Sequence, residues 1–221
     1  MQSIHRILIS TMLLKEIAPP STKTQLREQH QANIRIAILD AARELFAQEG
    51  VAGLSMRRLA EKIGYTPRTI YLYFADKDDL LSELIEEEVG HLADCLESAF
   101  MKRRSPRQRL EAVALAYVAF GLEHPKAYEA IFMVRSHPLT RESARFGQHV
   151  QGKRMLDVLD QVVRESGRIT EGQDYQVVVQ SLRCALHGVT SLLVLGRQLP
   201  GVRWETVVRH LVASLLGENQ T

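Results

Sequence analysis

With 221 residues, of which 45% are hydrophobic, the chain can bury a substantial core in one domain or in two small ones. The net charge of +2 excludes a uniformly basic nucleic-acid-binding protein. No segment alternates apolar and polar residues between turn signals, which argues against strands. No uninterrupted apolar run reaches the roughly 20 residues of a membrane-spanning helix. We therefore expect an all-α protein with no membrane partner.

The N-terminal residues are predicted to form an extension rather than part of a domain. Residues 7–14 are a short apolar run, but Lys15 and Glu16 interrupt it and no small-residue cleavage site follows, so export is not expected. We interpret residues 1–30 as disordered, and the alternative is a start codon assigned too early, with Met12 as the true start. The expected location is cytoplasmic.

The first predicted helix covers about residues 31–48, and Gly50 ends it. Six apolar residues recur at helical spacing and form its inward stripe: Ile34, Ile38, Ala41, Ala42, Leu45 and Phe46.

Two short helices joined by a tight turn follow, over residues 54–74. Met56, Leu59, Ala60 and Ile63 form one buried stripe, and Gly64 has the position of a C-cap. Thr66 and Pro67 have the positions of an N-cap and a first helical residue, so a second helix is predicted over 66–74.

The second of these helices has an outward face suited to DNA. Ile70 and Phe74 point inward, and the outward side carries Tyr65, Arg68, Thr69, Tyr71 and Leu72. Arginine, threonine and tyrosine on an exposed second helix are what a DNA major groove accepts. Residues 54–74 carry four basic residues and one acid, whereas residues 78–97 carry eight acids and no lysine or arginine. This polarity would orient the basic end toward phosphates.

The acidic segment predicts a fourth helix, from about residue 78 to about residue 100. It connects the three-helix unit to the rest of the chain.

Each cysteine, Cys95 and Cys184, lies in an apolar helical pattern. We interpret both as buried reduced thiols, and a redox switch between them is the alternative. The basic run at 102–109 is interpreted as a solvated loop, with a second phosphate contact as the alternative.

Five further helices are predicted. They cover about residues 107–122, 125–135, 139–166, 173–199 and 202–216. The last two are apolar on more than one face, so a partner must cover them. We therefore expect a homodimer formed through 173–199 and 202–216.

The motifs ILDAARELFAQEG and LSMRRLAEKIGYTPRTIYLYFADKDDLL resemble the N-terminal DNA-binding domain of the TetR family of transcriptional regulators, over residues 33–81. The resemblance implies an all-helical homodimer of nine to ten helices, with a helix-turn-helix domain at 31–77 and a ligand-binding and dimerisation domain at 78–221. The segment 185–196 is similar to a subgroup with a Trp-His-Gly signature. His187 and Gly188 match that signature, and Leu186 replaces the tryptophan.

The resemblance also implies roles for individual residues. Phosphate contacts fall on Ser55, Tyr71, Tyr73 and Lys77. Base-reading positions fall on Arg57, Thr66, Pro67, Arg68, Thr69 and Leu72. Arg68 could bind guanine O6 and N7 with two hydrogen bonds, or it could lie along a phosphate instead.

An effector cavity is predicted between helices five and eight. Eight aromatic, sulfur and imidazole side chains could line it: Tyr117, Phe120, Tyr128, Phe132, Met133, Phe146, Met155 and His187. Residues of these types at helical spacing are more often plain core, and this alternative stays open. Gly188 is expected to let another helix approach His187.

These observations predict a repressor that a small-molecule effector, of unknown identity, releases from a palindromic double-stranded DNA operator. The alternatives are an architectural DNA-binding dimer without an effector, and an enzyme or carrier with a vestigial helix-turn-helix. No catalytic motif, phosphate-binding loop or metal-ligand spacing occurs in the sequence, so we expect no enzymatic activity, cofactor or metal site.

Overall fold

The computed structural model describes residues 23–133, 150–166, 174–197 and 200–216. Within those ranges all regular secondary structure is helical, which confirms the all-α prediction. The α-helices are α1 (Lys23–Glu49), α2 (Met56–Ile63), α3 (Pro67–Ile70), α4 (Lys77–Met101), α5 (Pro106–Glu123), α6 (Pro125–Phe132), α7 (Val150–Glu165), α8 (Tyr175–Val194) and α9 (Trp204–Leu215), with a 3-10 helix at Gly50–Gly53.

Helix α1 begins at Lys23, well before the predicted start near residue 31, so the expectation of disorder was wrong for residues 23–30; residues 1–22 lie outside the described residues. The prediction placed the start too late because residues 23–33 are all solvent-exposed and carry no apolar stripe. Leucine, arginine, glutamate and glutamine in this segment favour helix by intrinsic propensity alone, which a search for periodicity does not detect.

Helices α1, α2 and α3 form the predicted three-helix unit. Each contributes apolar side chains to one core, and Phe74 beyond α3 joins them. The buried members are Ile38, Ala42 and Phe46 from α1, Leu59 and Ala60 from α2, and Ile70 from α3. The predicted inward stripes are therefore confirmed, except that Ile63 is half-buried.

Helix α4 links this unit to the C-terminal helices. Its start is fixed by two reciprocal bonds: Asp76 accepts from the Asp79 backbone N–H at 2.8 Å, and Asp79 accepts from the Ala75 backbone N–H at 2.9 Å. Farther along, α4 packs mainly against α5 and α7. The predicted start of helix seven, residues 139–149, lies outside the described residues.

Helix α8 packs closely against α5, but not at the predicted glycine. A Cβ added to Gly188 would meet no atom within 4 Å, whereas one added to Gly121 would lie 2.2 Å from Thr190 Cγ2. The expectation for Gly188 was wrong within this protomer. The close approach occurs because Gly121 on α5 faces the buried Thr190, whose hydroxyl donates to the Leu186 carbonyl.

The outer side of α8 is exposed within the described part of the protomer and carries large apolar residues. The helix has the length and mean hydropathy (1.5) of a membrane-spanning helix, although no uninterrupted apolar run reaches that length. Within the protomer it buries only Leu182, Leu186 and Thr190. Val177 is 59% exposed and Leu192 is 51% exposed. The exposed residues between them include Gln180, Ser181 and Cys184, so this side combines large apolar residues with small and polar ones.

The two cysteines differ from the prediction. Cys95 and Cys184 are both free and both exposed, so the expectation of buried thiols was wrong. Each belongs to the outward side of its helix, where a small apolar residue does not have to be buried.

Candidate DNA-binding surface and effector cavity

The turn between α2 and α3 is fixed by caps at both helix ends. Ser55 Oγ accepts from the Arg58 backbone N–H at 3.1 Å and so caps the start of α2. Gly64 has φ 73°, and its N–H reaches the carbonyls of Ala60 and Glu61. Glycine takes this left-handed conformation without steric cost, which lets the chain turn at once into α3.

Helix α3 is shorter than predicted. Thr66 Oγ1 accepts from the Thr69 N–H at 3.4 Å and Pro67 occupies the first turn, as expected. Beyond Ile70, the N–H groups of Leu72 and Tyr73 bond three residues back, to Thr69 and Ile70. The α-helix therefore tightens into a 3-10-like turn. Ile70 and Phe74 are both buried there, so the segment keeps one inward side.

The opposite side of this segment faces solvent. Arg68 is exposed, Leu72 is 77% exposed and Tyr71 is 53% exposed, while Thr69 and Tyr73 are half-buried. The structure therefore places most of the predicted contact residues on one accessible surface. Tyr73 differs, because its ring packs partly against the core.

Most of the positive charge near this surface is already paired. Arg57 bonds to Glu61 at 2.9 Å, and Lys62 bonds to Glu44 at 2.8 Å. Arg58 bonds to Glu49 at 2.6 Å, and this pairing lowers the pKa of Glu49 and raises that of Arg58.

Arg68 has no ion pair or hydrogen bond within the described part of the chain. It is therefore a fully available cation on the outward side of α3. The Arg57 pair is highly exposed and hence weak, so Arg57 can also exchange its partner.

Lys77, a predicted phosphate contact, has a structural bond as well. Its Nζ donates to the Val51 carbonyl at 2.9 Å and so ties the start of α4 to the Gly50–Gly53 turn. An ammonium group has three donors, which leaves others for a phosphate.

The basic run at 102–109 lies at the far end of α4 from Lys77. Helix α4 has 25 residues, which corresponds to a length of about 37 Å. Residues 102–108 are exposed, in agreement with a solvated loop and helix start. The run is therefore remote from the DNA segment that α3 would contact.

A cavity of about 200 Å³ lies among α5, α6, α7 and α8. Four of the eight predicted residues line it: Tyr117, Phe132, Met155 and His187. Phe120 and Tyr128 are buried in the adjoining core, and Met133 is half-buried and does not line the cavity. Phe146 lies outside the described residues.

Buried polar groups connect this cavity to α6. The Tyr128 hydroxyl lies 2.7 Å from His187 Nδ1, and the two rings stack with centroids 5.8 Å apart. Burial lowers the pKa of His187 and raises that of Tyr128 to about 12. Both groups are therefore uncharged at neutral pH.

Four lining residues were not predicted: Leu159, Gln180, Arg183 and Cys184. The sequence contained a signal for one of them. Arg183 is the only Asp, Glu, Lys or Arg between residues 175 and 194, a segment that is otherwise largely apolar. A single charged side chain in an apolar helix costs free energy when it is buried, unless it forms an ion pair or binds a ligand.

Two family descriptions match this chain. Residues 38–84 match "Bacterial regulatory proteins, tetR family", and residues 110–215 match "Tetracyclin repressor-like, C-terminal domain". The chain is 27% identical over 149 residues to the Fatty acid metabolism regulator protein of Bacillus subtilis, covering 66% of this chain and 75% of that one. It is 26% identical over 182 residues to the HTH-type transcriptional repressor AcnR of Corynebacterium diphtheriae, covering 80% and 87%.

Solved structures share the fold. The putative regulatory protein SCO4313 has a TM-score of 0.67 at 23% identity, over 86% of this chain and 98% of that one. The transcriptional regulator FadR of Bacillus subtilis, solved in complex with stearoyl-CoA, has a TM-score of 0.63 at 20% identity, over 83% and 98%.

The caps around Gly64 and the exposed side of α3 define a helix-turn-helix DNA-binding protein. Matches to both halves of the chain then place it in a family. The chain belongs to the TetR family and is a DNA-binding transcriptional repressor regulated by an effector. Regulators of this family bind DNA operators and small-molecule effectors and act as dimers.

Proposed function

We propose that this repressor binds a two-fold operator as a homodimer and is released when a small molecule fills the cavity beside His187. The observation that carries the proposal is the exposed, unpaired Arg68 on a segment fixed by caps and by the buried Ile70 and Phe74. We retain residues 31–77 as the DNA-binding domain and 78–221 as the ligand-binding and dimerisation domain, in a cytoplasmic protein.

The DNA contacts follow the sequence prediction. Phosphates are bound by Ser55, Tyr71, Tyr73 and Lys77, and bases are read by Arg57, Thr66, Pro67, Arg68, Thr69 and Leu72. The exposure of Arg68 and Leu72 supports reading of base edges. A guanidinium bound to guanine O6 and N7 would place a G in each half-site. The alternative, in which Arg68 lies along a phosphate, predicts weaker binding to all sequences.

The dimer forms through α8 and α9. Along the outer side of α8, exposed residues recur at helical spacing, from Val177 through Cys184 to Leu192 and Leu195. The open space at Gly188 supports close packing of a second α8 against this side. A two-fold related copy presents the same apolar surface, so each covers the other.

Helix α6 couples the cavity to the DNA-binding domain. On one side its Tyr128 bonds to His187, and its Phe132 lines the cavity. On the other side α6 packs against the Gly50–Gly53 turn, where a Cβ added to Gly50 would lie 3.1 Å from Lys126 Cδ; the Val51 carbonyl of this turn is bonded to Lys77. A ligand that displaces α6 would therefore shift the Gly50–Gly53 turn and the start of α4, and with them the two α3 segments of the dimer. A difference of a few kcal/mol between the two states is sufficient to release DNA.

The architectural alternative predicts a packed C-terminal domain without a cavity. The cavity of about 200 Å³ with an arginine in its lining favours the effector-regulated repressor. A closer relationship to the Trp-His-Gly subgroup is based on His187 and Gly188 and remains a prediction, because Leu186 replaces the tryptophan.

A fluorescence anisotropy titration tests this function. The full chain is bound to an operator fragment recovered from the organism's own DNA, and candidate effectors are added, including stearoyl-CoA because FadR was solved with it. We expect that at least one compound that binds the protein weakens its binding to the operator. Because the two binding events are linked, the operator should weaken the binding of that compound by the same factor. If compounds bind the cavity and operator affinity never changes, the architectural alternative is favoured.

A further inference from the structure

We propose that the effector is a small monocarboxylate with a compact apolar body, whose carboxylate binds Arg183. This inference depends on the proposed function only in calling the ligand an effector. The ligand's chemical class follows from the cavity itself.

The first argument is charge. Arg183 is half-buried, and its only hydrogen bond among the described residues is to Gln180 Oε1 at 3.0 Å. Other arginines of the regulatory half that lie between helices hold carboxylates: Arg109 bonds to Glu165, Arg154 to Glu97 and Arg209 to Glu111. Arg183 has a comparable position but no carboxylate partner within the described ranges. A carboxylate fits the planar guanidinium with two parallel bonds and removes the cost of a half-buried unpaired charge.

The second argument is the rest of the lining. Among the described residues no Asp or Glu lines the cavity, so nothing there would repel an anion. His187 is uncharged because burial lowers its pKa, and the buried Tyr117 stays protonated because burial raises its pKa. Arg183 is thus the single full charge among the described residues that line the cavity. One cation selects a monoanion over ligands that carry several phosphates.

The third argument is size and polarity. Phe132, Met155 and Leu159 give the lining an apolar part, contributed by α6 and α7, beside the polar residues of α8. The volume of about 200 Å³ is smaller than the roughly 300–1,000 Å³ of pockets that hold drug-sized ligands. A long acyl chain would extend beyond this volume. Acids of the size of hexanoate or phenylacetate match it.

Calorimetric titration of the full-length protein with hexanoate and phenylacetate, and with their neutral amides hexanamide and phenylacetamide, tests the proposal. We expect at least one acid to bind roughly 10–100-fold more tightly than its amide, the value of a hydrogen bond to a charged group. Arg183→Gln should remove this preference, and Arg183→Lys should keep part of it. Arg104→Gln, at an exposed arginine on the turn before α5, is the control and should leave the preference unchanged.

The outcomes separate this inference from the proposed function. Thermal unfolding of Arg183→Gln without ligand shows whether the variant is folded. Equal binding of acids and amides, or no binding of any acid to the folded wild-type protein, overturns the inference. If an amide or stearoyl-CoA releases operator and the acids do not, the inference is wrong and the repressor function stands. If the acids bind through Arg183 without changing operator affinity, the inferred ligand class is correct, and the proposal that a ligand in this cavity releases the operator is refuted.

Discussion

At the scale of single residues, the paired and unpaired arginines of the DNA-binding domain have different roles. Arg58 bridges Glu49 and the Gly53 carbonyl, at 2.8 Å to the latter, and therefore holds α2 against the end of α1. Arg68 holds nothing within the described structure and is free to bind DNA. This contrast leads to a direct test.

We predict that Arg68→Ala costs about 1–3 kcal/mol of operator binding and relaxes the preference at one base pair of each half-site. The reason is the loss of two hydrogen bonds to a guanine edge. Anisotropy titrations against a panel of operators changed at single positions measure both effects.

Arg104→Ala, on the exposed turn at the far end of α4, is the matched control and should leave operator affinity unchanged. If Arg68→Ala weakens all operators equally and also reduces the salt dependence of binding, Arg68 contacts a phosphate instead.

At this scale the sequence was a good guide to capping residues and a weaker one to the cavity. Gly64, Thr66 and Pro67 were predicted correctly, because capping depends on a few neighbouring residues, whereas the cap formed by Ser55 was not predicted. Tyr128 was predicted to line the cavity but lies in the adjoining core, and Arg183 was not predicted, because both positions depend on how α5 to α8 pack.

At the scale of elements, the contact between α5 and α8 depends on the absence of a side chain at Gly121. We predict that Gly121→Ala lowers the free energy of unfolding by about 1–3 kcal/mol, because the new methyl group would overlap Thr190 Cγ2. Denaturant unfolding measures the loss.

Thr190→Ser removes that methyl group and keeps the hydroxyl that bonds to Leu186. In combination with Gly121→Ala it should recover part of the loss, as a double-mutant cycle would show. Simple addition of the two single effects would contradict a direct contact.

Two arginine–glutamate pairs hold α1 to α4: Arg35 to Glu83, and Arg43 to Glu87 at 2.7 Å. The hydrogen bond from Arg43 lowers the pKa of Glu87. This pair therefore contributes stability in full above the unfolded pKa of about 4.3, and loses it as the pH falls through the lower folded pKa.

We predict that Glu87→Gln lowers the free energy of unfolding at pH 7 by at most about 1 kcal/mol, since the pair is partly exposed. The difference from wild type should disappear as the pH falls below about 4. Urea unfolding at a series of pH values measures it. Glu61→Gln, which breaks a more exposed pair, is the control and should have a smaller effect. A difference that grows on acidification would contradict this role.

The sequence predicted helices better than helix ends. The buried stripes of α1 and α2 were correct because they repeat over several turns. The start of α1 was wrong because its first turns bury nothing, and α3 was predicted too long because the tightening after Ile70 depends on packing.

At the scale of the whole molecule, the exposed apolar side of α8 leads us to expect a dimer. We predict that Leu192→Glu dissociates it, because each copy would bury a glutamate without a partner in the proposed interface. Sedimentation measures the mass of the particle. Ile36→Glu, at a similarly exposed apolar residue of α1, should leave the dimer intact. A dimeric Leu192→Glu protein would place the interface elsewhere.

A dimer presents two α3 segments to one duplex, and this arrangement is the central claim. Selection of bound fragments from the organism's own DNA, at moderate salt and with the full chain, tests it most directly. We predict a shared sequence with two inverted half-sites whose centres are about one helical turn apart, near 34–36 Å, or a little farther. Recovery of fragments that share no two-fold sequence would contradict the account.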